Sequence, residues 1–136
     1  MSRPAAFALR RDRRGTAAIE FGFTAPMVIL ALVGCIELGR AFWIRAALQY
    51  AAEETARLAM VDPDADDAAL TAHAQSRLFG VAAEDATFSV ARETIGGVEY
   101  VSVTGAYPFK FLSGLMPAAD TALSGAARAA AAEAAN

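Results

Sequence analysis

The chain has 136 residues, 56% of them apolar, with a formal net charge of −3, and that length supports one small domain beside a membrane helix and no more. The charge is unevenly placed: five arginines against one aspartate give residues 1–14 a balance of +4, which leaves −7 for the remainder. That distribution suits membrane orientation and excludes nucleic-acid binding, because no basic aromatic surface follows the basic end.

Residues 1–9 show no pattern of their own and lead into Arg10, Arg11, Arg13 and Arg14. Across residues 16–36 the only formal charge is Glu20, and the run is about long enough to cross a bilayer as a helix. Arginines near a span stay cytoplasmic, so the cluster sets the orientation and places everything after Ile36 on the far side. The expected organisation is a cytoplasmic basic leader over 1–15, a transmembrane and continuing amphipathic helix over 16–60, and a small exported α+β domain over 61–136. A carboxylate within a membrane segment costs roughly 2.5–3.5 kcal/mol, so Glu20 calls for a reason. Either it lies near the cytoplasmic edge and reaches the headgroups, or it has a partner in lipid. A cut between Gly15 and Thr16 would create that partner, a new α-amine with Glu20 fifth in the shortened chain.

Arg14-Gly15-Thr16-Ala17-Ala18-Ile19-Glu20-Phe21 resembles the cleavage site of type IV pilin-like precursors, in which a glutamate and an aromatic follow a glycine at this spacing. With Phe23 and Pro26 in the span, then Glu37-Leu-Gly-Arg40 and Ala46-Ala-Leu-Gln49, the chain resembles the TadE family. Its members are minor pilin-like proteins of the tight-adherence (Tad, or Flp) pilus system. The resemblance is specific over about residues 13–59 and only compatible in pattern beyond. It implies cutting after Gly15 by an inner-membrane prepilin peptidase and assembly through Glu20 and Phe21, with Glu20 answering the new N-terminus of an adjoining subunit. It also implies other major and minor pilins and the inner-membrane assembly platform as partners, and a pilin-like domain with a last sheet strand near the C-terminus. Thr16 stands where the family pattern has Phe, a departure that bears on N-methylation rather than on cleavage.

A different processing signal overlaps the end of the span. Leu32-Val33-Gly34-Cys35 matches a lipoprotein box, after which the chain would be anchored by a lipid on the Cys35 sulfur and act as an envelope binding module. Lipoproteins usually continue into a polar tether, whereas residues 36–44 continue as an amphipathic helix. The preferred reading of Cys35 is therefore a small residue buried in a helix face. As the sole cysteine it excludes an internal disulfide. Pro26 would soften the span, and Gly22, Gly34 and Gly39 either admit neighbouring helices or are simply tolerated.

Beyond the span, Ala41, Ile44, Leu48, Ala51, Thr55 and Leu58 recur at three- and four-residue steps, one stripe of a helix. Trp43 falls where an aromatic belt is expected. The helix should run from Gly15 to about Met60, about 65 Å at about 1.5 Å per residue. Asp62-Pro63 then ends it, since proline disfavours helical geometry in the residue before it. A second helix follows, capped by Asp64 or Asp66, with Leu70, Ala74 and Leu78 as its buried row and Gly80 as its stop. His73, the sole histidine, has no neighbouring histidine or cysteine with which to form a metal site. Asp62, Asp64, Asp66 and Asp67 lack the glycine turn and closing glutamate of a cation loop.

From Ala86 the period changes to two: Ala86, Phe88 and Val90 alternate with Thr87, Ser89 and Ala91. Gly96-Gly97 suits a tight hairpin turn, and the return strand covers residues 98–104 with Val101 and Val103 on one face. Residues 107–117 read as an apolar loop, either a lid over the sheet edge or a patch for another subunit. Residues 121–128 are alanine-rich but interrupted by Gly125; the family resemblance favours a last strand over a helix. Residues 129–136 should fray. No paired carboxylates, nucleophile elbow, phosphate loop or metal-ligand spacing occurs in the exported part, so the chain reads as non-catalytic, with no cofactor, metal or small-molecule substrate.

Overall fold

The protein is described by a computed structural model covering residues 13–112, 114 and 121–131. The elements are α1 (Arg13–Val61), α2 (Asp67–Ser76), a 3-10 turn at Ala83–Asp85, then β1 (Thr87–Ile95), β2 (Val98–Phe109) and β3 (Thr121–Ala130). Strands β1, β2 and β3 form one antiparallel sheet in that order. The α+β class expected from the sequence is the one found. Residues 1–9, Arg10, Arg11 and 132–136 lie outside the described residues, as do Ser113 and residues 115–117 of the apolar 107–117 segment.

Two units make up the chain, Met1–Cys35 and Ile36–Asn136. The first holds the opening of α1, whose large apolar side chains, among them Phe21, Phe23, Met27 and Ile29, are exposed. A helix of this length and composition can cross a membrane, and none of its apolar window is buried within the chain. Pro26 lies inside the helix. Near it, the Thr24 hydroxyl donates to the Glu20 carbonyl at 2.8 Å. Cys35, expected to be buried, is exposed, as no other element among the described residues covers α1 there.

In the second unit the predicted stripe is the buried face of α1. Ile44, Leu48, Ala51 and Thr55 are buried, joined by Ala52, Ala56 and Ala59, while Ala41 and Leu58 are half-buried. Thr55 satisfies its buried hydroxyl by donating to the Ala51 carbonyl at 2.8 Å. Leu70 of α2 and Val101 and Val103 of β2 complete one core cluster with the alanines. A second joins Ile44 and Leu48 to Ala86 and Phe109. The alternation along β2 therefore points Val101 and Val103 inward, as its period of two requires.

Local signals placed the element ends with varying success. α1 stops at Val61, just before Asp62-Pro63. Asp66 caps α2 by accepting from the Ala69 N–H at 2.6 Å. That helix closes earlier than expected, with Arg77 rather than Gly80 at its C-cap, so Leu78 packs from the following loop. Gly96 and Gly97 have φ of +61° and +84° and join Ile95 to Val98, the two-residue turn that the sequence required. The return strand outruns its expected end at residue 104. β2 continues to Phe109, so Tyr107, Pro108 and Phe109 are strand rather than loop. Pro108 is tolerated because the β1 ladder ends at the Thr87–Ala106 pair, leaving β3 as its neighbour among the described strands.

β3 extends to Ala130, two residues beyond the expected segment and into the region expected to fray. Gly125 pairs directly with Gly105 of β2. A Cβ on Gly125 would stand 2.5 Å from the Gln49 backbone nitrogen, and one on Gly105 would stand 2.6 Å from the Phe88 ring. Gly125 thus lets the backbone of α1 approach the sheet at Leu48–Gln49, and Gly105 leaves room for the Phe88 ring and the Leu48 side chain. There Gln49 donates to the Ala126 carbonyl and accepts from the Ala126 N–H, both at 3.1 Å. Its amide satisfies both backbone groups of Ala126 on the outer edge of β3.

Arg92 fastens the start of α2 to the hairpin. Its guanidinium donates to Asp67 at 3.0 Å and to the Ala65 carbonyl at 2.6 Å, and pairs with Glu99 at 3.5 Å. The hydrogen bond to Asp67 raises the arginine pKa further above its already high value. The arginine side of this link therefore persists through neutral pH and is lost only at extreme alkalinity. Because these groups are partly solvated, Arg92→Ala should cost about 1 kcal/mol, roughly 4–8 °C of thermal midpoint for a domain of this size. Circular-dichroism melting of the full chain in detergent checks this, and an unchanged midpoint removes the tether.

Candidate processing and assembly site

The residues expected to carry processing and assembly lie on the first turns of α1. Gly15, Thr16, Glu20 and Phe21 are all helical and exposed, and Phe21 is 73% exposed. Arg13 and Arg14 belong to the helix backbone at its start, whereas Arg10 and Arg11 lie outside the described residues. The fold does not converge these groups into a pocket. It presents them in series along one rod, with Gly15 five residues before Glu20.

Two features of this stretch bear on its chemistry. Among the described residues nothing lies within 4 Å of where a Cβ on Gly15 would be, so no packing contact there demands a glycine. Among the described residues the Glu20 carboxylate has no ion-pair partner. In hydrocarbon such a group is costly until something cationic or hydrogen-bonding meets it. The same open space surrounds Gly22, Gly34 and Gly39.

At the opposite end of the apolar run the structure assembles a clasp that sequence reasoning quoted only as part of the resemblance. Glu37 is 6% exposed. One carboxylate oxygen accepts from the Leu112 N–H at 2.6 Å and the other pairs with Arg40 at 3.3 Å. Arg40 also donates to the Lys110 carbonyl and lies 4.5 Å from the centre of the Phe109 ring. Phe109 and Phe111 meet edge to face at 5.1 Å. The available signal was an acid and a base three residues apart immediately after the apolar run, a spacing that places them on one helix face. Their targets, 75 and 70 residues away along the chain, carry no signal at all.

Among the described residues no group of three or more His, Cys, Asp or Glu side chains could hold a metal ion. His73 accepts from the Arg77 guanidinium at 3.3 Å. Of the clustered aspartates, Asp66 caps α2 and Asp67 binds Arg92.

The family model described as TadE-like protein matches residues 15–57. No curated protein and no solved structure gives a match. The matched segment begins at Gly15 and takes in the apolar run, Glu20, the Glu37–Arg40 pair and Gln49. Over residues 15–57, about a third of its length, the chain is thus similar to TadE-like proteins, and its N-terminal apolar helix is long and apolar enough to fit a single-pass membrane protein.

Proposed function

We propose that this chain is a minor pilin-like subunit that enters the inner membrane through α1, with its N-terminus cytoplasmic and its second unit exported. A prepilin peptidase cuts it between Gly15 and Thr16, and it then assembles with other major and minor pilins at the membrane platform of a Tad pilus. The observation that carries this reading is the order Gly15, Glu20, Phe21 at the head of an apolar helix, inside the segment that matches the TadE-like family. The physical account is charge pairing. Cutting creates an α-amine at Thr16, and an amine from one subunit can meet the Glu20 carboxylate of its neighbour where neither is stable alone. Arg13 and Arg14, with Arg10 and Arg11, hold the uncut end on the cytoplasmic side.

Intact mass and N-terminal analysis of the protein purified from membranes tests the reading directly. A mature chain beginning at Thr16 is expected. A start at Cys35 carrying a lipid would replace the reading by a lipoprotein anchor, and an uncut start with the peptidase present would leave a signal-anchored domain. Because a Cβ at Gly15 would meet nothing within 4 Å among the described residues, Gly15→Leu should fold and insert normally yet accumulate as the full-length precursor. A shortened product from that variant, seen by immunoblot, removes the peptidase step.

A further inference from the structure

The second unit exposes apolar tips from two separate loops near the end at which α1 enters it. Phe79, in the loop after α2, is 77% exposed. Its ring lies 6.5 Å from that of Trp43, which is itself 53% exposed. A Cβ on Gly80 would stand 3.1 Å from the Trp43 indole nitrogen, so the loop backbone rests against this side chain. Together with Tyr50 and Arg77 these groups line an open apolar hollow of about 210 Å³. Leu112, also 77% exposed, is fixed at Glu37 through its backbone N–H. Lys110, exposed two residues earlier, has its carbonyl held by Arg40. Glu37 and Trp43 are six residues apart, about one and two-thirds turns, so the two tips leave different sides of the helix.

Their level along the chain identifies what covers them. Ile36 closes the apolar run and Glu37 is the first charge after Glu20, so Leu112 is held where the chain leaves hydrocarbon. Trp43 comes about 10 Å further along the helix, and helical side chains lean back toward the N-terminus, which brings its ring toward the headgroup layer of about 5–8 Å. Apolar tips flanked by Arg77 and Lys110 have the makeup of a surface that meets lipid, with aromatic bodies in the interface and long cationic side chains on phosphates. We infer that this base of the exported unit, Phe79 with Trp43 on one side of α1 and Leu112 on another, rests in the outer headgroup layer of the bilayer, with Arg77 and Lys110 on lipid phosphates. The inference rests on the single-span reading. It gives the exported unit a second hold on the membrane, one that assembly must release.

Trp43 is the sole tryptophan, so quenching of single-tryptophan chains by brominated lipid reports each position separately. The full chain is reconstituted in vesicles of phosphatidylcholine and phosphatidylglycerol, with bromine either close to the headgroups or deep in the acyl chains. In a Trp43→Phe background, Phe79→Trp and Leu112→Trp should each lose most of their emission to shallow bromine, while Leu30→Trp responds to deep bromine. Quenching at position 30 with none at 79 and 112 overturns the inference and leaves the span intact. No quenching at any of the three removes the span reading and the inference with it. Blue-shifted emission at 79 that depends on protein concentration, without quenching, assigns the hollow to a second copy and also overturns it. Reversing charge with Arg77→Glu and Lys110→Glu should weaken shallow quenching when phosphatidylglycerol is present, and indifference to that change overturns the role given to the cations.

Discussion

Glu20→Ala is expected to insert into the membrane as well as the natural chain and to lose its assembly with partner pilins. Insertion should survive because removing a carboxylate from an apolar run makes the span more favourable, and the alanine keeps the helix. Assembly should fail because the α-amine of a processed neighbour would then lie in low dielectric without a counter-charge. An unpaired charge there costs roughly 2.5–3.5 kcal/mol, on the order of a hundredfold in an association equilibrium. Alkaline extraction of membranes reads insertion, and cross-linking of co-expressed pilins reads assembly. Glu20→Gln separates charge from shape, since it keeps the size and a hydrogen-bonding amide while losing the charge. If Glu20→Ala assembles at the wild-type level, the pairing role is wrong. The exposed position of Glu20 makes the experiment clean, because no ion pair among the described residues is broken by the change.

Gly125→Ala should be the most damaging single-methyl change in the second unit. The new Cβ would lie 2.5 Å from the Gln49 nitrogen and 2.8 Å from both the Gln49 Cα and the Leu48 carbonyl carbon. These are backbone atoms of a long helix, not the free end of a side chain, so α1 and β3 must part. Overpacking of this kind costs about 1–3 kcal/mol, which corresponds to roughly 5–20 °C of thermal midpoint. The Gln49 amide would lose its two bonds to Ala126 as the strand withdraws. Gly39→Ala is the control, as nothing lies within 4 Å of its Cβ and helix propensity favours alanine by about 0.5–1 kcal/mol. Melting curves that coincide for the two variants would show that the close approach of helix and strand does not constrain the fold.

The two glycines mark the boundary of what sequence reading can reach. In the sequence, Gly125 looked like an interruption in an alanine-rich helix, and only the family resemblance favoured a strand. In the structure it is the point at which a strand passes a helix backbone, opposite a second glycine twenty residues earlier. Nothing local distinguishes these roles, because the atom that forbids a side chain belongs to residue 49. The end of β2 is a similar case. Tyr107-Pro108-Phe109 read as part of an apolar loop, yet they are strand, because β1 stops before Pro108 and the position is locally an edge that tolerates proline. The apolar row of α2 was legible as far as Ala74, but Leu78 packs from beyond the helix end.

By itself the sequence determined the features whose causes are local. Composition and apolar length set an N-terminal helix able to cross a membrane, the three- and four-residue stripe set the buried face of α1, Asp62-Pro63 set its end, and Gly96-Gly97 set the hairpin. Each follows from solvation, helical period or backbone freedom within a few residues. The tertiary structure decided what depends on distant atoms: the close approach of α1 to the sheet at Gly125, the strand identity of residues 107–109, and the exposure of Cys35. It also decided that Glu37 and Arg40 hold the segment after β2, because a buried carboxylate and a cation find their partners only when helix and sheet come together.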